Sequence, residues 1–207
     1  AFYQLLKAGA PDPATGKPNP SSMPAFFAAH PETAPFLAWV KTAKPSASYA
    51  TETYNGINAF YLVAADGTRQ AVRWEVVPQS QDAAGDTAPA GSDFLEQDLV
   101  RRLAAGPLRW QLNMTLANPG DPLDDASKTW SGAHKVLNAG TLVLQSSQPQ
   151  ADGDCRDINF DPLILPSGIQ ASNDPLLAAR SAAYASSYLR RAGEVSPLHS
   201  APQESKP

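Results

Sequence analysis

The spacing of apolar residues changes character several times along this chain. Residues 2–8 (FYQLLKA) place apolar side chains at helical intervals, and Gly9 with Pro11 stops the run, which predicts a short first helix. Residues 11–22 (PDPATGKPNPSS) are polar and proline-rich and read as a fixed loop. Pro24, in the first turn of Ala25-Phe26-Phe27-Ala28-Ala29, predicts a second short helix. A third is expected from Pro31 or Pro35 to Ala43, burying Phe36, Leu37, Trp39 and Val40.

Beyond that point the period shortens to two. Residues 57–64 (INAFYLVA) and 69–77 (RQAVRWEVV) are rich in aromatic and β-branched side chains, and Asp66-Gly67 between them signals a hairpin. Residues 79–91 form a polar loop. Asp93, with Glu96 three positions on, predicts a helix opened by a capping box and ended at Gly106-Pro107. Residues 109–116 alternate Trp110, Leu112, Met114 and Leu116 against polar neighbours, a strand wet on one face. Residues 118–128 are a turn-rich crossing, residues 136–144 a strand interrupted by Gly140, and residues 159–173 an irregular apolar stretch. The last helix is the best marked. Asp174 caps it, Pro175 takes its first position, residues 176–191 fill it and Gly193 closes it. After Glu194 the chain is a polar Pro/Ser tail, with residues 196–207 expected to be mobile. There is no internal repeat. The order of elements describes an α+β protein with an antiparallel sheet.

A length of 207 residues suits one domain or at most two small ones, and 43% apolar with 17% charged residues is a globular composition. No apolar run approaches the roughly 20 residues that cross a bilayer. Net charge is −4 and the 16 basic residues form no tract, which argues against a nucleic-acid partner. The single cysteine, Cys155, excludes an internal disulfide and a cysteine-based zinc cage. Its neighbours Asp154 and Asp157 disfavour a thiolate. Twenty prolines, about twice the average usage, exclude a long helical bundle. The opening Ala1-Phe2-Tyr3-Gln4 has neither a starting Met nor the order of a signal peptide, and reads as a cut or processed end.

Ordinary catalytic motifs are missing. His30, His134 and His199 are far apart, none has a carboxylate at metal-ligand spacing, and each reads as structural or surface. There is no Gly-rich phosphate loop and no Gly-x-Ser-x-Gly elbow. The final helix differs. Arg180, Tyr184, Tyr188 and Arg191 are spaced by four, four and three, so all project from one face. Ala178, Ala179, Ala182, Ala183 and Ala185 around them would let a flat molecule approach the backbone. Arg180, one turn from Tyr184, favours the phenolate form, a hard ligand suited to ferric iron. On spacing alone the plainer reading is preferred, that tyrosines of an amphipathic helix pack with the hydroxyl at the rim.

Several motifs, in order, resemble the catalase superfamily, with greatest similarity to the short bacterial catalase-related peroxidases. Asn159-Phe160-Asp161-Pro162, then Pro166-Ser167-Gly168-Ile169, then Asp174-Pro175-Leu176-Leu177-Ala178-Ala179-Arg180 through Tyr184 resemble that family's haem-ligand region. Tyr54-Asn55-Gly56-Ile57-Asn58-Ala59-Phe60 resembles the start of its fifth barrel strand. Residues 121–130 (DPLDDASKTW) resemble its loop ending in Lys-x-Trp. The resemblance spans residues 2–195 and implies one haem-binding domain over residues 1–195. It further implies an antiparallel β-barrel with helices, here incomplete, and a haem b enzyme acting on hydrogen peroxide. By position Tyr184 would ligate the iron, Arg180 would hydrogen-bond its phenolate, Arg191 would pair with a haem propionate and Phe160 would line the pocket. A second peroxide or a small organic electron donor would complete the reaction. Tyr188 stands where large catalases carry a histidine. The family's distal histidine and its neighbouring asparagine would lie upstream of residue 1, so no residue of this chain is expected to be catalytic, and the chain resembles a C-terminal portion. The compartment stays open between periplasm and cytoplasm of a bacterium. The alternative, from another class, is a non-catalytic β-barrel module that binds haem or another ligand.

Overall fold

Proline and glycine punctuate residues 1–46 into three short helices. The computed structural model describes residues 2–44, 46–79, 91–149 and 154–194. Within it, residues 1–46 form one compact unit and residues 47–207 another. The first unit holds α1 (Phe2–Gly9), α2 (Ser22–Ala29) and, after a single 3-10 turn at Pro31–Thr33, α3 (Ala34–Val40). Phe26 is buried, with its ring 5.4 Å from Phe27 and 4.4 Å from His30. The His30 imidazole joins Gln4 (2.9 Å) to Glu32 (2.8 Å). The expected burial of the third helix is corrected. Phe36, Trp39 and Val40 are exposed and Leu37 is half-buried, because helices of seven and eight residues enclose too little volume for a larger core.

The second unit is built on a six-stranded sheet whose pairs are all antiparallel. Its strands are β1 (Tyr54–Asn55), β2 (Phe60–Val63), β3 (Arg69–Pro78), β4 (Leu108–Leu116), β5 (Val136–Leu144) and β6 (Ile169–Ala171). The order is β5-β4-β3-β2-β6, with β1 also pairing β3. Among the described residues β5 and β6 meet no further strand, so the sheet is open and not a closed barrel. The Asp66-Gly67 turn forms as expected: Gly67 takes φ +84° and the Thr68 amide donates to Asp66 Oδ1 at 2.8 Å. Gly140, at φ +142°, marks a bulge in β5. Leu112 faces Gly140 but Asn113 faces Asn138, which leaves Ala139 without a cross-strand partner.

One sheet face packs Val76 and Trp110 with Ala50, flanked by Trp74, Leu108, Leu112 and Leu144. The other face of β4 is less wet than its alternation suggests. Gln111 donates to Asn113 (2.8 Å), Asn113 donates to Glu75 (3.1 Å), and these side chains shield one another. α4 (Phe94–Ala105) begins where expected but without the capping box. Asp93, at φ −109° and ψ 25°, lacks the extended backbone that aims a cap carboxylate at the first turn. The helix is pinned instead through Asp98, 1% exposed, which accepts from Ser48 Oγ (2.5 Å), Arg101 (2.5 Å) and Arg102 (2.6 Å). α5 (Pro175–Gly193) carries its cap: the Leu176 amide donates to Asp174 Oδ1 at 2.9 Å, and Leu177 is buried beneath it. The expected polar loop at 79–91 and the expected mobile tail lie largely or wholly outside the described residues.

Candidate functional site

The link from β1 to β2, the segment 158–168 and the first turns of α5 converge on a cleft of about 420 Å³, with Gly56, Asn58, Phe60, Trp74, Phe160 and Arg180 on its walls. Gly56 lies flat on an indole. Its amide donates to the Trp74 carbonyl at 2.8 Å, and a Cβ there would fall 2.5 Å from the Trp74 ring. Any side chain larger than hydrogen would separate β1 from β3 at the cleft wall.

Two residues further on, Asn58 is 2% exposed in the apolar run Ile57-Asn58-Ala59-Phe60, and both ends of its amide are used. Nδ2 donates to Asp174 Oδ2 at 3.0 Å, and Oδ1 accepts from Arg180 Nη1 at 3.0 Å. Asp174 thus serves twice: one oxygen caps α5 and the other fixes the amide that aims Arg180. From there Arg180 Nη2 donates to Tyr184 Oη at 3.4 Å, with the guanidinium carbon 5.7 Å from the phenol ring centre. Tyr184 is 36% exposed, and the Arg180 guanidinium sets a permanent cation beside its oxygen. The chain Asp174–Asn58–Arg180–Tyr184 links a helix cap to an accessible phenol through hydrogen bonds alone.

The opposite wall is apolar. Phe160 and Ile164 are 59% and 72% exposed. The segment carrying them is tied to α5 where Ser181 Oγ donates to Asp161 Oδ2 at 2.5 Å. Beside Phe160 in sequence, the Asn159 side-chain oxygen is buried without a hydrogen-bond partner.

Of the four residues singled out by sequence, Arg180 and Tyr184 bond directly, and Phe160 lines the cleft with Arg180. Arg191 stands elsewhere. Nη1 donates to Ser187 Oγ (2.9 Å) and Nη2 to the Ile158 carbonyl (3.1 Å), so it joins α5 to the strand of chain leading into Phe160. Asn58 and Gly56 were not legible as site residues from spacing. The signal for Asn58 was an amide inside an apolar run, which must find partners once buried.

His30 and His134 are held in structural contacts, as expected of them. His134 Nε2 meets Asp121 Oδ2 at 2.8 Å, with both side chains under a tenth exposed, and its ring stacks on Trp130. Burial works against the Asp121 carboxylate, but the Asn118 amide and His134 outweigh it and hold the carboxyl below its usual range. Arg73 covers Trp130 at 4.6 Å. His199 lies outside the described residues. Among the described residues no cluster of three or more His, Cys, Asp or Glu could hold a metal ion, and no helix is long and apolar enough to cross a membrane.

A family model described as Catalase matches residues 1–197. A catalase-related peroxidase of Synechococcus elongatus is 39% identical over 195 residues, covering 92% of this chain and 57% of that protein. One of Mycolicibacterium paratuberculosis is 32% identical over 196 residues, covering 93% and 61%. The chain therefore spans about three-fifths of the length of these relatives. A fungal catalase crystal structure superposes with a TM-score of 0.74 at 17% identity, covering 93% of this chain and 42% of that one. A bacterial catalase structure superposes with a TM-score of 0.72 at 20% identity.

Proposed function

Because this chain belongs to the catalase family, we propose that it supplies the ligand side of a haem b site in an enzyme that reduces hydrogen peroxide, with Tyr184 on the iron. The observation that carries this reading is the Arg180–Tyr184 pair, fixed by Asn58 and Asp174 beside a cleft with one apolar wall. The residues suit the group. A phenol oxygen next to a permanent cation is a hard donor for ferric iron. Phe160 and Ile164 offer apolar surface to a flat macrocycle. Arg191 would pair bidentately with a carboxylate such as a propionate by giving up its bonds to Ser187 and the Ile158 carbonyl.

Haem bound here would supply a ferric centre that takes an oxygen atom from peroxide. The work of this chain is binding and electrostatics. Tyr184 holds the iron from one side, Arg180 keeps a positive charge at the phenol oxygen, and Asn58 stops the guanidinium swinging toward solvent. Moving a proton between the two peroxide oxygens needs a base on the other side of the haem. His30 and His134 are already engaged with Gln4, Glu32 and Asp121. By the family resemblance, that base and its amide neighbour are expected outside the described residues, and the electron source is a second peroxide or a small organic donor.

Titration of the chain with hemin tests the binding half of this reading, and oxygen evolution and donor oxidation test the rest. A Soret band with a high-spin tyrosinate–ferric spectrum is expected, with negligible peroxide turnover by the 207 residues alone. A colourless chain, or turnover equal to that of a longer form at matched haem content, contradicts it.

A further inference from the structure

Serine is a weaker helix former than the alanines around it and, inside a helix, usually bonds back to its own preceding turn. Ser181 does otherwise. It stands in the second turn of α5, directly after Arg180, and its hydroxyl crosses to Asp161, twenty residues earlier in the chain. Asp161 is fully committed at its other oxygens. Oδ1 accepts from the Leu163 amide at 2.8 Å, and the main-chain carbonyl accepts from the Ile164 amide at 3.1 Å. These bonds close a tight turn, and Ser181 fastens that turn to the helix. A second tie, Arg191 to the Ile158 carbonyl at 3.1 Å, holds the start of the same segment to α5. Ten residues on from Ser181, it lies about 15 Å along the helix axis.

Between and beside these ties the segment holds Phe160 and Ile164 well exposed. An apolar side chain on a free loop folds down to escape water. Here the backbone is fastened on both sides, so the side chains stay out. We propose that Ser181 is a positioning residue: through Asp161 it sets the Phe160–Ile164 wall in place before a ligand arrives, so that little ordering is left to be done on binding. This rests on the reading of the cleft as a haem site. It concerns how tightly that site holds a flat apolar ligand, not the identity of the iron ligand.

The test compares the chain with its Ser181→Ala and Ser181→Thr variants in two measurements. Amide hydrogen exchange without ligand follows Leu163 and Ile164, and loss of one bond to an ionised carboxylate should speed it about tenfold in Ser181→Ala. Hemin dissociation, followed by transfer to an excess of a second haem-binding protein, should accelerate by about the same factor. Ser181→Thr, which keeps the hydroxyl, should restore both. Unchanged exchange in Ser181→Ala overturns the proposal, as does faster exchange with unchanged hemin loss. So does failure of Ser181→Thr to recover either value. If the unmodified chain takes up no hemin, the Tyr184 assignment falls, and the exchange measurement alone decides whether Ser181 fixes the wall.

Discussion

Asn58 and Asp174 lie 116 residues apart in sequence and 3.0 Å apart in the fold, amide nitrogen to carboxylate oxygen. Both are buried, and the pair sits where the start of β2 meets the start of α5. Through it, the residue that caps a helix also fixes the direction of an arginine one and a half turns later. Asn58→Ala should cost about 2 kcal/mol of unfolding free energy, since it leaves Asp174 and Arg180 each short of a partner. Asn58→Asp should be worse, because it places a second carboxylate against Asp174. Urea unfolding of the two variants checks the order.

Arg180 and Arg191 share a helix face but not a role. Arg180 Nη2 reaches the Tyr184 oxygen, whereas Arg191 reaches Ser187 and Ile158. Arg180→Leu should shift the reduction potential of bound haem with a smaller effect on its retention. Arg191→Lys should leave the potential alone and increase haem loss, because one ammonium does not replace a two-pronged donor. Potentiometric titration beside a hemin-loss assay separates them, and equal effects of both changes on retention with none on potential would contradict the division.

Gly56 is fixed by sterics. Gly56→Ala should destabilise by about 1–3 kcal/mol and open the β1–β3 contact, as Trp74 moves off a methyl group it cannot accommodate. Intrinsic tryptophan fluorescence and thermal unfolding of the variant would register both effects.

Asp98 makes stability depend on acid. Burial pushes its carboxyl up, but Ser48, Arg102 and Arg101 together hold it below its ordinary range in the fold. A carboxyl depressed on folding contributes fully above its unfolded pKa near 3.8 and loses that contribution as pH falls through the lower folded value. Unfolding free energy should therefore be flat in this respect above about pH 5 and decline below pH 4. Asp98→Ala should remove that dependence and cost about 3 kcal/mol or more at neutral pH, by removing the buried carboxylate to which Ser48, Arg101 and Arg102 all donate. Chemical unfolding at a series of pH values checks the sign.

How much was legible from sequence follows from the range of the forces involved. The α5 boundaries, the Asp66-Gly67 turn and the irregularity at Gly140 were readable because each depends on a residue's own backbone preference or on a neighbour within four positions. The helical face of Arg180 and Tyr184 was readable for the same reason. The function of Asn58 was not, since its two partners are 116 and 122 residues away. The contacts of Arg191 were not legible either: its place on the helix face follows from spacing, but the Ile158 carbonyl it donates to lies 33 residues away on another segment. Apolar pattern also overstated the burial of Phe36, Trp39 and Val40, because periodicity shows which side of a helix is apolar and not whether anything covers it.

We propose the Tyr184 oxygen, placed beside Arg180, as the protein ligand to ferric haem. The most direct measurement is the absorption spectrum of the hemin complex of Tyr184→Phe against that of the unchanged chain, at matched protein and hemin. Tyr184→Phe, which keeps the ring and removes only the oxygen, is expected to lose the tyrosinate–ferric spectrum and to bind hemin weakly. A variant with the same haem content and an unaltered Soret band would contradict it.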